Sequence, residues 1–297
     1  LRKFFPRFII SICIFYALEE CNMKTIDASN LHYKELNTMI FDSIKGGEKH
    51  IVVNNCLGHR YIGDGLCGED IKIDINGTAG NDLAAFMNGP TIHVHGNAQD
   101  GIGNTMNAGK VFVDGDAGDV LCYGMRGGEV YVRGNVGYRV GIHMKEYMDF
   151  IPKAVIGGCA GDFFGEYMAG GFLVILGLDA GDRPILGKNI ATGMHGGRVY
   201  VRGTVDKTRT DKATRPSDID DEDMKILKAL VGEFCSAFGL DSAKILKDKF
   251  TKLTPSSKRP YGKHYTPFWH TITDRKMVVP GSYEANGYPA VRNIRER

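Results

Sequence analysis

A glycine that returns every nineteen residues constrains this chain more than any other feature. Gly58, Gly77, Gly96, Gly115 and Gly134 are separated by that interval, and Gly158 and Gly177 repeat it. From Gly134 to Gly158 the spacing widens by five residues, and from Gly177 to Gly203 by seven, so seven coils run from residue 58 to 203. Two and four residues before the closing glycine stand Ile75 and Ile73, Val94 and Ile92, Val113 and Val111, Val132 and Val130, Ile175 and Leu173, and Val201 and Val199. Asp74, His93, Phe112, Tyr131, Val174 and Tyr200 alternate with them. Period two is the mark of a strand with one buried face. Methionine falls nine places before the glycine in five coils, at Met87, Met106, Met125, Met168 and Met194. Leu83, Ile102, Leu121, Phe164 and Ile190 fall thirteen before it, and Ala79, Ala98, Ala117, Val136 and Ala160 come shortly after it.

Apolar stations repeated coil upon coil describe a solenoid, in which no coil buries its apolar face alone and each satisfies its strand hydrogen bonds on the next. The 39 glycines beside 10 prolines fit this, with glycine pairs such as Gly127-Gly128, Gly170-Gly171 and Gly196-Gly197 marking corners. Parallel crossovers are overwhelmingly right-handed. The expected fold is all-β: a single-stranded right-handed parallel β-helix of about seven coils with a C-terminal helical cap. Five segments follow: an apolar extension over 1–22, a lead-in over 23–50, the glycine-repeat β-helix over 51–206, a helical cap over 207–253 and an extended arm over 254–297 that carries Trp269. Within the cap, Ser217 is placed to start a helix through Ile226, Leu230, Val231 and Phe234, stopped by Gly239, with a second helix after Asp241. These helices are expected to seal the open end of the solenoid.

Composition removes several functional classes. A net charge of +2 gives no argument for nucleic acid or for a membrane surface. The seven cysteines, Cys13, Cys21, Cys56, Cys67, Cys122, Cys159 and Cys235, include no CxxC pair, and their scatter fits reduced thiols in the cytoplasm. Arg2, Lys3 and Arg7 ahead of the apolar run from Phe8 to Leu18 have the profile of a signal peptide, whereas Met23 opens a polar, start-like segment. Two readings stand for residues 1–22: an extended or misplaced start, and an export or anchor segment. The run is short for a membrane span.

Several stretches resemble a known family. NNCLGHRYIGDGLCGED, with Asn55, Arg60, Gly63 and the turn from Leu66 to Glu69, is similar to the first coil of the C-terminal domain of the glutamate synthase large subunit. That is the glycine-repeat, or GXGXG, β-helix domain, which also occurs free-standing. NAQDGIGNTMNAGKVFVDG, GDVLCYGMRGGEVYVRGNVGYR, GEYMAGGFLVILG and TGMHGGRVYVRG resemble its successive coils, and SAKILKDKFTKLTPSSKR its closing helix and strand. The resemblance spans roughly residues 50 to 260 and departs at the loop IHMKEYMDFIPK and at the seven extra residues, placed at DRPILGK. It implies a scaffold subunit without catalytic, cofactor or metal residues of its own. The implied partners are a class II glutaminase subunit and an FMN-dependent synthase subunit, the latter with FMN and iron–sulfur centres, which together move ammonia from glutamine to 2-oxoglutarate. Similar glycine-repeat coils form the β-helix subunit of formylmethanofuran dehydrogenase and a part of N-methylglutamate synthase, and these supply the alternative complexes.

The residues themselves raise other chemistry. His93 and His95 share one strand face at a spacing that can bind zinc, with His59 as the expected third neighbour; otherwise they form an outward polar ladder. Glu129, Arg133, Arg198 and Arg202, with Lys110 and Asp114, read as charge ladders on an outer wall or as a docking surface. The glycine pairs feed strands rather than helices, which removes a phosphate loop. No GxSxG elbow occurs, and Cys122 and Cys159 read as structural coil residues.

Overall fold

The computed structural model describes residues 23–256 apart from Ala213, and the backbone of residues 276–283 and 289–293. The chain forms two compact units, Leu1–Lys258 and Arg259–Arg297. The first holds a parallel strand stack in sequence order: β1 (Met23–Asp27), β2 (His50–His59), β3 (Lys72–Ala79), β4 (Asn88–His95), β5 (Ala108–Val113), β6 (Glu129–Val132), β7 (Lys153–Ile156), β8 (Ala169–Ile175) and β9 (Gly196–Arg202). Two antiparallel strands then close the sheet, with β11 (Phe250–Pro255) beside β9 and β10 (Thr214–Asp218) outermost. The second unit contains one antiparallel pair, β12 (Lys276–Tyr283) and β13 (Pro289–Asn293). Trp269 and residues 1–22 lie outside the described residues.

Register follows the repeat. Ile73 pairs with Ile92, Ile92 with Val111, and Val111 with Val130. One position further, Asp74 pairs with His93, His93 with Phe112, and Phe112 with Tyr131. The inward residues of all coils belong to one core, which contains Met87, Met106, Met125, Met168 and Met194. Met144 is a sixth member of this methionine column: Lys145 N–H donates to Met125 C=O and Ala169 N–H to Met144 C=O. Full burial of such a side chain contributes about 1.5–3 kcal/mol.

The coil glycines stack directly. Gly115 N–H donates to Gly96 C=O, Gly134 to Gly115, Gly158 to Gly134, and Gly177 to Gly158. Gly58 stands outside this column, because a register shift in β2 sets Cys56 opposite Gly77. At the far end, Gly203 N–H leaves the column for Lys249 C=O. A side-chain ladder shows why alanine does not serve in the column. Asn97 Oδ1 accepts from Asp116 N–H at 2.9 Å, Asp116 Oδ1 from Asn135 N–H at 2.6 Å, and Asn135 Oδ1 from Cys159 N–H at 3.0 Å. A Cβ on Gly115, Gly134 or Gly158 would run into those same oxygens of the preceding coil. At Gly115, Gly134 and Gly158, close approach rather than a positive φ demands glycine.

Two helices are placed differently from the sequence expectation. Helix α1 (Tyr33–Lys45) buries Leu36 and Ile40 in the same core as β1 and β2, so the lead-in supplies helical cover for the first coil. Helix α2 (Asp221–Phe238) starts at Asp220, not Ser217, which pairs in β10 with Lys252. Asp220 accepts from Asp223 N–H and Asp223 returns the bond, a capping box that the more distant serine lacks the reach to make. Gly239 ends α2 in the left-handed region, as the sequence indicates. The C-terminal helical region lies along the outer face of the strand stack, not over its open end. Helix α3 (Ser242–Ile245), capped by Asp241, is one turn long before β11 begins. The seven extra residues also shift: Ile185 C=O accepts from Ala160 N–H and Leu186 bridges Ala160, so the chain has rejoined its column by 185 and the excursion covers 178–184.

Candidate functional site

Positions that alternate with the core point out of the coil, and the structure divides them in two. From β5 to β9, Phe112, Tyr131, Val155, Val174 and Tyr200 are buried beneath Leu227, Leu230, Val231 and Phe234 of α2. Phe112 and Tyr131 stack with centroids 5.1 Å apart. A fully buried carboxylate, Asp223, ties the start of the helix to the sheet. It accepts from Tyr200 Oη at 2.8 Å and Arg198 Nη1 at 3.3 Å, and pairs with Lys252. Burial raises the Tyr200 phenol, and the hydrogen bond to Asp223 adds to the rise against the opposing effect of Arg198.

The expected charge ladders are therefore used mostly inside the chain. Glu129 lies 2.7 Å from Lys153 and 3.8 Å from Lys110, and Lys110 also reaches Glu233 of α2. Burial pushes the Glu129 carboxyl up, but hydrogen bonds from Lys153 and Tyr131 outweigh it and leave it lowered. Arg198 meets Glu222 and Asp223, Arg133 meets Asp179, and Arg202 meets Asp248. Asp114 takes no part in these pairs.

Asp114, just past the end of β5, instead reaches the open part of the face on β3 and β4, where imidazoles and carboxylates converge. His93 Nε2 is 2.7 Å from Asp114 Oδ1, and His95 Nδ1 is 3.2 Å from Asp114 Oδ2. The other nitrogen of His95, Nε2, is 3.0 Å from Asp74 Oδ1. Asp74 Oδ2 is held by His50 Nε2 at 2.6 Å and Lys72 Nζ at 2.8 Å. Burial opposes ionisation of Asp74, but hydrogen bonds from Lys72, His50 and His95 prevail and hold its carboxyl at about 2. The two rings lie 4.1 Å apart, and His93 also meets Phe238, the last residue of α2, edge-on.

His59 is not the third neighbour. Its Nε2 is 3.0 Å from Leu31 C=O and its Nδ1 faces Cys56, on the bulged end of β2. Asp74 takes that place instead. The signal was in the repeat itself, because Asp74 and His93 are nineteen residues apart, as are His95 and Asp114. Cys122 is fully buried, and burial pushes its thiol up to about 12, which leaves no thiolate for nucleophilic chemistry. Cys159 is partly exposed. Among the described residues no helix is long and apolar enough to cross a membrane.

The strand stack, its glycine column and its side-chain ladders define a glycine-repeat parallel β-helix. Within that class the sequence profile of the GXGXG motif matches residues 39–258, and the chain belongs to the GXGXG motif family. It is 50% identical over 250 residues to "Uncharacterized protein MJ1350" of Methanocaldococcus jannaschii, covering 82% of this chain and 96% of that protein. Among solved structures, it is similar to a chain of the formyltransferase/hydrolase complex (FhcABCD) from Methylorubrum extorquens, solved with methylofuran. That similarity has a TM-score of 0.51 at 18% identity over 69% of this chain and 77% of the other, and it is one of fold.

Proposed function

We propose that this chain is a scaffold subunit, without catalytic residues of its own, of a multi-subunit glutamate synthase that transfers the amide nitrogen of glutamine to 2-oxoglutarate. The observation that carries the reading is the GXGXG match over residues 39–258, joined to the coil-by-coil resemblance of stretches such as GDVLCYGMRGGEVYVRGNVGYR to the glutamate synthase domain. Solenoid walls make natural interfaces, because stacked coils present long, regular surfaces to a partner. The partners in this reading are a class II glutaminase and an FMN-dependent synthase subunit, which bring FMN and iron–sulfur centres. Free thiols at Cys56, Cys67, Cys122, Cys159 and Cys235 suit a cytoplasmic assembly.

A second reading draws on the similarity to a chain of the formyltransferase/hydrolase complex. It makes this protein the β-helix subunit of a different multi-subunit enzyme, of the kind represented by formylmethanofuran dehydrogenase. Affinity purification of the native protein from its own cells, with bound proteins identified by mass spectrometry, separates the two. Recovery of glutaminase and FMN-dependent synthase subunits is the expected result. Recovery of formyltransferase or dehydrogenase subunits transfers the chain to the second reading. A chain isolated without any partner overturns both.

A further inference from the structure

We propose that Asp74, His93 and His95 form a binding site for a divalent transition-metal ion, with zinc the best fit to the donor set. The inference is independent of the assembly to which the chain belongs. The candidate ligand atoms of these three residues all lie within 4.8 Å of one another. In a tetrahedral zinc site the ligand atoms stand roughly 3.4 Å apart, given metal–ligand bonds of about 2.0–2.1 Å. One pair, His95 Nε2 and Asp74 Oδ1, already stands 3.0 Å apart.

Each ligand is held from behind. Asp114 engages Nε2 of His93 and Nδ1 of His95, and the other nitrogen of His95, Nε2, already faces Asp74 Oδ1. Carboxylate support of this kind fixes the tautomer and raises the basicity of a ligating imidazole. On Asp74, His50 and Lys72 occupy Oδ2 and leave Oδ1 to face His95. All three ligands stand on paired strands, which fix their backbones better than loops do.

The chemistry selects the class of ion. Two imidazoles and one carboxylate suit zinc and its neighbours, whereas magnesium and calcium prefer oxygen donors. The side chains of His93 and His95 are 22% and 38% exposed, so one side of the site is open to water. With three protein ligands, the fourth tetrahedral position falls to water.

The test uses the full chain, produced without a polyhistidine tag and stripped with chelator. Calorimetric titration with Zn²⁺ should give one equivalent bound. Co²⁺ should give the visible bands of a low-coordinate site, and Zn²⁺ should raise Tm. Asp74→Asn, His93→Ala and His95→Ala should each remove the Co²⁺ bands and the Tm rise, while Asp114→Asn should weaken Zn²⁺ about tenfold. His143→Ala, an exposed histidine outside the site, should change nothing. Circular dichroism checks that each variant is folded, and His95→Ala, the most exposed ligand, carries the test if Asp74→Asn is not. Failure of the parent to bind one equivalent, or binding that persists in both His93→Ala and His95→Ala, overturns the proposal.

Discussion

The outer face of one continuous strand stack meets two fates. On β3 and β4 the outward residues are Asp74 and His93, joined to His95 and Asp114 in a polar, partly open network. On β5 to β9 the same register position holds Phe112, Tyr131, Val155, Val174 and Tyr200, and α2 buries all of them. The backbone conformation and pairing are the same in both regions. What differs is whether a segment beyond the last coil lies across the strands. Outward in a solenoid does not mean exposed, and the column where the helix stops is where polar chemistry begins.

The contrast is open to direct attack. Phe234→Ala removes the fully buried ring that α2 sets into the covered half, and should destabilise the chain by about 3–5 kcal/mol in denaturant titration. A loss below about 0.5 kcal/mol, the range of surface substitutions, would mean that the helix is not part of the core. Asp223→Asn leaves Lys252 and Arg198 facing a neutral group in a buried setting, with a loss of about 3 kcal/mol in the same measurement. Asp74→Asn in metal-free protein should cost about 1 kcal/mol, because its partners reach solvent. An equal loss at positions 74 and 223 would erase the distinction between the two halves.

The smallest effect lies at the helix start. The Asp223 N–H and then Lys252 hold the Asp220 carboxyl at about 2, below its ordinary 3.8. A lowered carboxyl adds stability that is fully present above the unfolded value and fades as pH falls through the folded one. Thermal melts of the parent and of Asp220→Asn should therefore differ at pH 5 and converge as pH falls from about 4 to 2. A constant difference across that window would assign the effect of Asp220 to something other than its charge.

The coil was legible because its period is written in residue types that cannot be exchanged: glycine where Asn97, Asp116 and Asn135 crowd the next coil, and apolar residues where coils face inward. Met144 is hidden from the sequence because spacing counted backward from Gly158 crosses the five extra residues, whereas hydrogen bonds from Met125 lead straight to it. The course of α2 was not legible. Its apolar stripe reveals that it is covered, but stacking alone cannot distinguish the end of a solenoid from its wall. Aromatic residues at Phe112, Tyr131 and Tyr200, large for a solvent-facing position, were the available clue. His93 and His95 could be read from the chain, and their partners Asp74 and Asp114 lay one repeat away on either side.

The Asn97–Asp116–Asn135 ladder has a consequence for how such a chain can change length. Each rung takes the amide of the next coil, and the glycine beside it leaves room for no other alignment. Register is thus passed from coil to coil like a copied template, and an added or lost segment survives only if the chain returns to the same rung. The loops after Met144 and Gly177 obey this rule, since both leave the solenoid and rejoin their columns, at Lys153 and Ile185. Whole coils and looped excursions are the permitted edits; a one-residue slip within a coil is not.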